Sequence, residues 1–327
     1  MDNVCHTLAG AALAESGLAR RTALGYATLL VAANLPDLDV LSFIGGPAAS
    51  LEWRRGWTHG VVALAVLPVA FTVVVVLLDL LFRKLSDAVL ASEVRPGQIL
   101  LLAYAGVLSH PLLDLLNTYG VRWLVPWSQR WSYGDALFIV DPWLILILGL
   151  GVWASRARRL ARQRTVVPER PARLAIGVAA AYIAMMLASS AAARRDAVQE
   201  MQALHPAAVR TAMAGPVLFN PFRREIVIEQ ADAYRTATFR WLRTPHLDPA
   251  SVDSFPVTDP GSPAVAAAMA TADGRRFLGW ARFPVLLPDS GANGRLVHIV
   301  DLRYARSPDA RFGAVTVDTR KHENTNP

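Results

Sequence analysis

The stretch GVVALAVLPVAFTVVVVLLDLLF, residues 60–82, decides the fold, because its apolar run is broken by a single charged residue. A helix of about 20 apolar residues is long enough to cross the hydrocarbon core of a bilayer. Three further segments have comparable length and apolarity, at residues 99–119, 137–153 and 174–193. The sequence therefore predicts a polytopic helical membrane domain.

Two shorter helical segments precede the first span. Residues 7–18 and 22–35 are rich in Ala and Leu, which favour helix, but each is too short to span a bilayer comfortably. We expect them to form a shallow helical hairpin that turns at residues 17–21.

The overall composition agrees with a membrane protein. Of the 327 residues, 53% are hydrophobic and 18% are charged, whereas a soluble protein carries about a quarter charged residues. The net charge of +7 fits either nucleic-acid binding or the inner flank of a membrane protein, and only its position along the chain decides between them. The single cysteine, Cys5, excludes an intramolecular disulfide and a zinc site built from several cysteines.

The positions of the basic residues predict the orientation. Lys and Arg collect in cytoplasmic loops, and seven arginines lie between residues 153 and 174 against one acid, Glu169. Counting spans from that loop places residues 42–59, residues 119–135 and everything after about residue 194 on the outer side. Two arginine pairs, Arg54–Arg55 and Arg194–Arg195, would then lie outside, against the rule. The basic residues assigned to the inner side are Arg20, Arg21, Arg83, Lys84, Arg95, Arg156, Arg158, Arg159, Arg162, Arg164, Arg170 and Arg173.

The chain changes character from about residue 199. Short β-branched or aromatic segments alternate there with Pro, Gly and Asp, as in REIVIEQ, YRTATFRWL, RRFLGWARFPVLL, GRLVHIVDLRY and FGAVTVDTR. We therefore predict a mainly α protein with three parts: a helical membrane domain at residues 1–155, an Arg-rich loop with the last span at residues 156–198, and a β-rich extracytoplasmic domain at residues 199–327.

Polar residues that interrupt the apolar helices are the functional candidates, because such groups are costly in a membrane. In the predicted topology they all fall on the outer side. His110 and Asp114 are four residues apart and share one helical face, which Asn117 continues. Imidazole and carboxylate at this spacing suit a divalent cation, zinc or manganese. The other candidates are His6, Asn34, Asp37, Asp39 and His59.

Each of these residues also has a plainer interpretation. Asp37 and Asp39 follow the helix-stopping Pro36 and could be solvent-exposed turn residues. His59 could belong to an aromatic belt at a helix mouth. Arg54 and Arg55 could hold a phosphate or face lipid headgroups. The joint pattern favours a metal, because the three histidines of the first 200 residues all fall on one side.

Four motifs in order resemble the YdjM-like family of bacterial membrane-bound, metal-dependent hydrolases. They are DNVCHTLAGA, NLPDLDVL, RRGWTHG and SHPLLDLLNTYG, and the resemblance covers about residues 1–155. The family is similar, more distantly, to the all-helical zinc-dependent phospholipase C and nuclease group, a fold-level analogy. Cys5 departs from the family, where a small polar residue is more common. The resemblance implies five metal ligands, His6, Asp37, His59, His110 and Asp114, with Asp39 and Asn34 in support.

The expected function is a hydrolase of the bacterial inner membrane. One or two divalent ions, zinc first and manganese second, would activate water for attack on a phosphodiester or lipid substrate at the outer membrane–water boundary. Asp39 is the expected general base, Asn34 and Asn117 support the site, and Arg54 and Arg55 would bind an anionic substrate. The expected partners are membrane lipids and a protein bound by the C-terminal domain, without nucleic acid. A metal-stabilised scaffold and a transporter without hydrolytic activity remain alternatives.

Overall fold

The chain divides into two compact units. The first comprises Met1–Val40 and Arg55–Leu187, and the second comprises Leu41–Arg54 and Ala188–Pro327. A mainly helical chain with a β-rich C-terminal part agrees with the fold class predicted from the sequence, which is confirmed. The computed structural model describes residues 1–85, 93–161, 167–259, 261–289 and 295–322.

Seven helices come before the first strand in the described residues. The predicted hairpin is present, because α1 and α2 are joined by the short 3-10 helix Leu18–Arg21. A second 3-10 helix, Leu35–Gly45, follows α2 and carries the NLPDLD motif except for Asn34, which directly precedes it. The seven are α1 (Asn3–Glu15), α2 (Gly25–Ala32), α3 (Pro47–Trp53), α4 (Val61–Leu85), α5 (Pro96–Leu115), α6 (Pro142–Leu160) and α7 (Arg170–Leu204).

Three of these helices, α4, α5 and α7, are long and apolar enough to cross a membrane. A fourth span is possible if α2 and the Leu35–Gly45 helix, bent by 41° at their junction, count as one. The span predicted at residues 137–153 corresponds to α6, which is not among the three. The carboxylate of Asp141 caps α6 by accepting a hydrogen bond from Leu144 N at 2.9 Å. The helix therefore begins at Pro142, later than the predicted span, and its last turns contain three arginines.

Glycines bring α1 and α5 onto α2. A Cβ atom on Gly10 of α1 would lie 2.6 Å from the Leu29 carbonyl oxygen, and one on Gly106 of α5 would lie 2.7 Å from Ala32 Cβ. Small residues allow helices in membranes to approach this closely. His6 lies one helical turn before Gly10, and His110 lies one turn after Gly106. The two glycine contacts therefore place the two histidines beside the same end of α2.

The opposite end of α1 carries ion pairs. Glu15, the last residue of α1, is buried and contacts Arg159 Nη2 at 2.7 Å and Arg156 Nε at 3.2 Å. Arg20 pairs with Glu169. Residues assigned to the inner side from the sequence thus lie together, although Arg162 and Arg164 fall outside the described residues.

The second unit is built on two antiparallel sheets. The first has the order β1 (Val209–Val217), β2 (Asn220–Gln230), β3 (Ala233–Arg240) and β4 (Asp253–Pro256); the second has the order β5 (Pro284–Pro288), β6 (Leu296–Asp301) and β7 (Ala314–Asp318). The end of α7 belongs to this unit, because Ala193, Ala197 and Met201 form one core with the first sheet. The structure thus divides the chain within α7, earlier than the predicted boundary at residue 198.

One segment predicted as strand is partly helical. In RRFLGWARFPVLL, the first six residues lie in α9 (Ala272–Trp280), which follows α8 (Pro263–Ala270), and only the end forms β5. Thr271 caps α9 by accepting from Gly274 N at 3.0 Å. Phe277 and Trp280 are three residues apart and both buried, which is helical spacing. The sequence prediction of a strand there is wrong, because it relied on the aromatic content of the segment and not on the spacing of its buried residues.

Replacing a helical glycine with alanine usually stabilises a protein. The close contact between Gly106 and α2 predicts the opposite effect at this position. Gly106→Ala should lower the free energy of unfolding by about 1–3 kcal/mol, because the new methyl group overpacks the interface. Gly177→Ala is the matched control, since no atom of the described residues lies within 4 Å of a Cβ at that helical position. It should be neutral or stabilising by up to about 1 kcal/mol. Denaturant titration of the detergent-solubilised protein would measure both, and equal effects would contradict the assigned contact.

Candidate metal centre

Three elements and one loop of the first unit bring the predicted metal ligands together. His6 lies on α1, Asp37 on the Leu35–Gly45 helix, and His110 and Asp114 on α5, while His59 precedes α4. Two groups of three have ligand atoms that all lie within 4.8 Å of one another: His6, Asp37 and His110, and His59, His110 and Asp114. All five residues predicted as ligands therefore converge, and His110 belongs to both groups. We call these five residues the cluster.

His110 has a defined tautomer. Its Nδ1 lies 2.7 Å from the Ala33 carbonyl oxygen, which can only accept, so Nδ1 donates there and the lone pair of the neutral ring is on Nε2. Nε2 is buried and makes no hydrogen bond to the described residues. It lies 3.5 Å from Asp37 Oδ1 and 3.6 Å from Asp114 Oδ2. A nitrogen lone pair thus faces two carboxylates, which is an arrangement that a cation would satisfy.

His6 stacks on His110 with ring centroids 3.6 Å apart. It is fully buried, and neither of its ring nitrogens makes a hydrogen bond to the described residues. Its Nε2 lies 3.4 Å from Asp114 Oδ1. Burial lowers the pKa of His6 far below its ordinary value, so the ring is neutral and can act as a ligand.

His59 is held between two carboxylates. Its Nε2 lies 3.1 Å from Asp114 Oδ2, and its Nδ1 lies 3.4 Å from Asp39 Oδ2 and 2.9 Å from Thr58 Oγ1. Asp39 Oδ2 also accepts hydrogen bonds from Arg55 N at 2.8 Å and from the Thr58 hydroxyl at 3.3 Å. Asp39 therefore contacts the side of His59 that faces away from Asp114.

Asp114 is the centre of the cluster. Its Oδ2 lies 3.1 Å from Arg55 Nε, and its Oδ1 contacts the amino group of Met1. The Arg55 guanidinium is buried, lies 4.6 Å from the centre of the Tyr119 ring and donates to Asn117 Oδ1 at 3.0 Å. Arg55, which the sequence assigns to substrate binding, thus has the Asp114 carboxylate as an ion-pair partner.

The remaining predicted residues lie in different surroundings. Asn117 Oδ1 also accepts from Tyr119 N at 2.8 Å, so it closes the end of α5. Asn34 joins helices, because its Nδ2 donates to the Thr7 hydroxyl at 3.1 Å and to the Leu30 carbonyl at 2.9 Å. Arg54 belongs to the second unit, where its guanidinium lies 5.3 Å from the centre of the Phe43 ring.

Thr58 and Tyr119 contact residues of the site, although the sequence does not predict them there. Thr58 lies directly before His59, and a hydroxyl next to a candidate ligand is a signal that could have been used. Tyr119 follows Asn117 by two residues. Its contact with Arg55 depends on the fold and has no sequence pattern of its own.

Comparison with known proteins identifies the family. No curated protein and no solved structure matches the chain. A family model described as YdjM inner membrane protein matches residues 1–194, a range that contains the whole cluster and all the helices long and apolar enough to cross a membrane, apart from the end of α7. Because the match covers more than half of the chain, this protein belongs to the YdjM inner membrane protein family.

Proposed function

We propose that the protein is a metal-dependent hydrolase of the bacterial inner membrane. It acts on a phosphodiester or lipid substrate where the outer face of that membrane meets water. One observation carries the proposal: both ring nitrogens of His6 and Nε2 of His110 are buried without a hydrogen bond to the described residues. Buried polar atoms normally have partners, and each orphan requires an explanation. A cation bound by one ring nitrogen of His6 and by Nε2 of His110 supplies a partner for each ring.

The donor set fits a divalent cation of borderline softness. Imidazole nitrogens and carboxylate oxygens are ligands that zinc accepts, and manganese accepts them with a preference for the carboxylates. The two groups of three share His110, whose Nε2 has a single lone pair. His110 can therefore serve only one ion, and a second ion would have to be held by the remaining residues. We propose zinc as the principal metal, with one ion held through His110.

When bound, such an ion would acidify a water molecule and polarise a phosphoryl or acyl oxygen of the substrate. The residues of the chain prepare the site for that chemistry. The contacts of Asp39 with His59, Thr58 and Arg55 N favour a positioning role, in which Asp39 orients the His59 ring. This differs from the general base expected from the sequence. The Asp37 side chain is 14% exposed and that of Asp39 is 3% exposed, so we propose that the Asp37 carboxylate oxygen not bound to the ion is the proton acceptor.

Two other functions use the same residues differently. A metal-stabilised scaffold would bind the ion without turnover of any substrate. A transporter would distribute ionisable side chains along the depth of the membrane, whereas the cluster lies where α4 begins and α5 ends. The position of the cluster favours the hydrolase and the scaffold over the transporter.

Metal analysis tests the site. His110→Ala and Asp114→Ala should each reduce bound zinc at least tenfold and abolish hydrolysis, because each removes a central ligand. His298→Ala, in the second unit, is the control and should keep wild-type zinc. The measurement is metal content of detergent-purified protein, followed by hydrolysis of a water-soluble phosphodiester. A His110→Ala, Asp114→Ala double variant that retained stoichiometric zinc would exclude this site.

Removing the arginine partner of Asp114 gives a second test. Arg55→Met should destabilise the metal-free protein by about 3–5 kcal/mol, because it removes the guanidinium that pairs with Oδ2 of the buried Asp114 carboxylate. Zinc should recover part of that loss, since a cation bound by Asp114 replaces the missing positive charge. The exposed Arg130 supplies the control, as Arg130→Met should change stability by about 0.5 kcal/mol or less. Unfolding curves with and without zinc would show the recovery, and its absence would contradict a zinc ion at Asp114.

We also propose that the second unit is extracytoplasmic, because the arginine-rich segment before α7 favours the cytoplasm. We further propose that this unit binds a protein partner. Two exposed leucines test the orientation. Leu242 lies in the second unit, and Leu160 lies at the arginine-rich end of α6. In intact cells with a permeabilised outer membrane, a membrane-impermeant maleimide should label Leu242→Cys and spare Leu160→Cys, while Cys5 is buried. The reverse labelling would show the opposite orientation.

A further inference from the structure

Access to the cluster is restricted to one ligand. The side chains of His6, His59, His110 and Asp114 have no exposed surface, whereas the Asp37 side chain is 14% exposed. Any substrate that meets the predicted ligands in this arrangement therefore approaches them beside Asp37. The surface next to Asp37 then determines which molecules can enter.

That surface is apolar. Asp37 lies in the Leu35–Gly45 helix, LPDLDVLSFIG, whose only charged residues are its two aspartates. Leu38 and Val40, which belong to the first unit, are 50% and 51% exposed. We call the exposed residues Leu38 and Val40 the apolar ridge.

The ridge has the character of a lipid-facing surface. Together, α2 and the Leu35–Gly45 helix are apolar enough to form a broken span or a re-entrant loop. A water-soluble ion would have to lose hydration along the ridge without receiving hydrogen bonds in exchange. A membrane amphiphile would instead keep its apolar part in contact with apolar side chains.

We propose that the substrate is a bilayer phospholipid that reaches the cluster from the membrane along the apolar ridge. The proposal rests on the proposed function and specifies its substrate. The acyl chains contact Leu38 and Val40, and the phosphodiester lies at the cluster beside Asp37, where a divalent cation complements its negative charge. Hydrolysis adds the hydroxyl group of water to phosphorus, breaks one phosphorus–oxygen ester bond and transfers the water proton to the leaving alcohol oxygen, so no further reactant is required.

Photo-crosslinking tests the binding step without depending on catalysis. Phosphatidylglycerol with a diazirine in its acyl chain is incorporated into nanodiscs with the full-length protein, and crosslinked peptides are quantified by mass spectrometry. Zinc should increase crosslinking at the apolar ridge several-fold, because the cation anchors the headgroup. Crosslinking at the exposed Val73 and Val74 of α4 should not change. The same yield at the ridge with and without zinc would overturn the proposal, as it would show only general lipid contact.

Turnover tests the specificity step. In the double variant Leu38→Gln, Val40→Thr, the ratio of phosphatidylglycerol hydrolysis to bis(p-nitrophenyl) phosphate hydrolysis should fall about tenfold, which corresponds to the loss of part of the apolar contact. Leu242→Gln, a matched exposed leucine, should leave the ratio unchanged. An unchanged ratio in the double variant would overturn the ridge as the substrate path. Zinc-dependent crosslinking without turnover of either compound would refute the hydrolase and leave a lipid-binding site.

Discussion

The fully buried carboxylate of Asp114 is the constraint on which the rest of the centre depends. An ionised carboxylate away from water is tolerated only when it is paired and hydrogen-bonded. Arg55, His59 and His6 all lie within 3.4 Å of its oxygens. Satisfying this charge fixes the loop before α4, because Arg55 reaches Asp114 with its side chain while its backbone N–H donates to Asp39. Arg55 adopts a φ of 51°, which is uncommon for a residue other than glycine.

The helices can surround that charge only because their backbones approach closely. Gly10 and Gly106 both pack on α2, and the Ala33 carbonyl at the end of α2 fixes the tautomer of His110. Packing and chemistry are therefore linked: the contact that joins α5 to α2 is one turn from the nitrogen that faces Asp37 and Asp114. At the other end of α1, buried Glu15 is paired with arginines of α6. Each end of α1 thus has a buried acid nearby that is paired with a cation.

The first unit combines buried ligands with an exposed apolar surface. The ligands are closed off inside the first unit, but the helix that carries Asp37 exposes large apolar residues. A cation site alone is compatible with an enzyme or a scaffold. An apolar surface beside the single accessible ligand adds a direction of approach, and this favours a substrate that already resides in the bilayer.

The sequence by itself determined the membrane character, the β-rich C-terminal part and the polar residues that interrupt the apolar helices, because each depends on a strong local signal. These signals are long apolar runs, β-branched segments and ionisable groups where apolar residues are expected. The resemblance to the YdjM-like family then implied which five of those residues are ligands. Only the tertiary structure decided how the five residues are arranged and which side chains face them. Arg55 pairs with Asp114, and Asp39 contacts the far side of His59, because residues distant along the chain meet at the end of α2. The sequence could not predict those pairings, since they depend on helix spacing set by glycines whose contacts lie on another helix. It also missed α9, whose aromatic residues resemble a strand until their spacing is compared with the helical period.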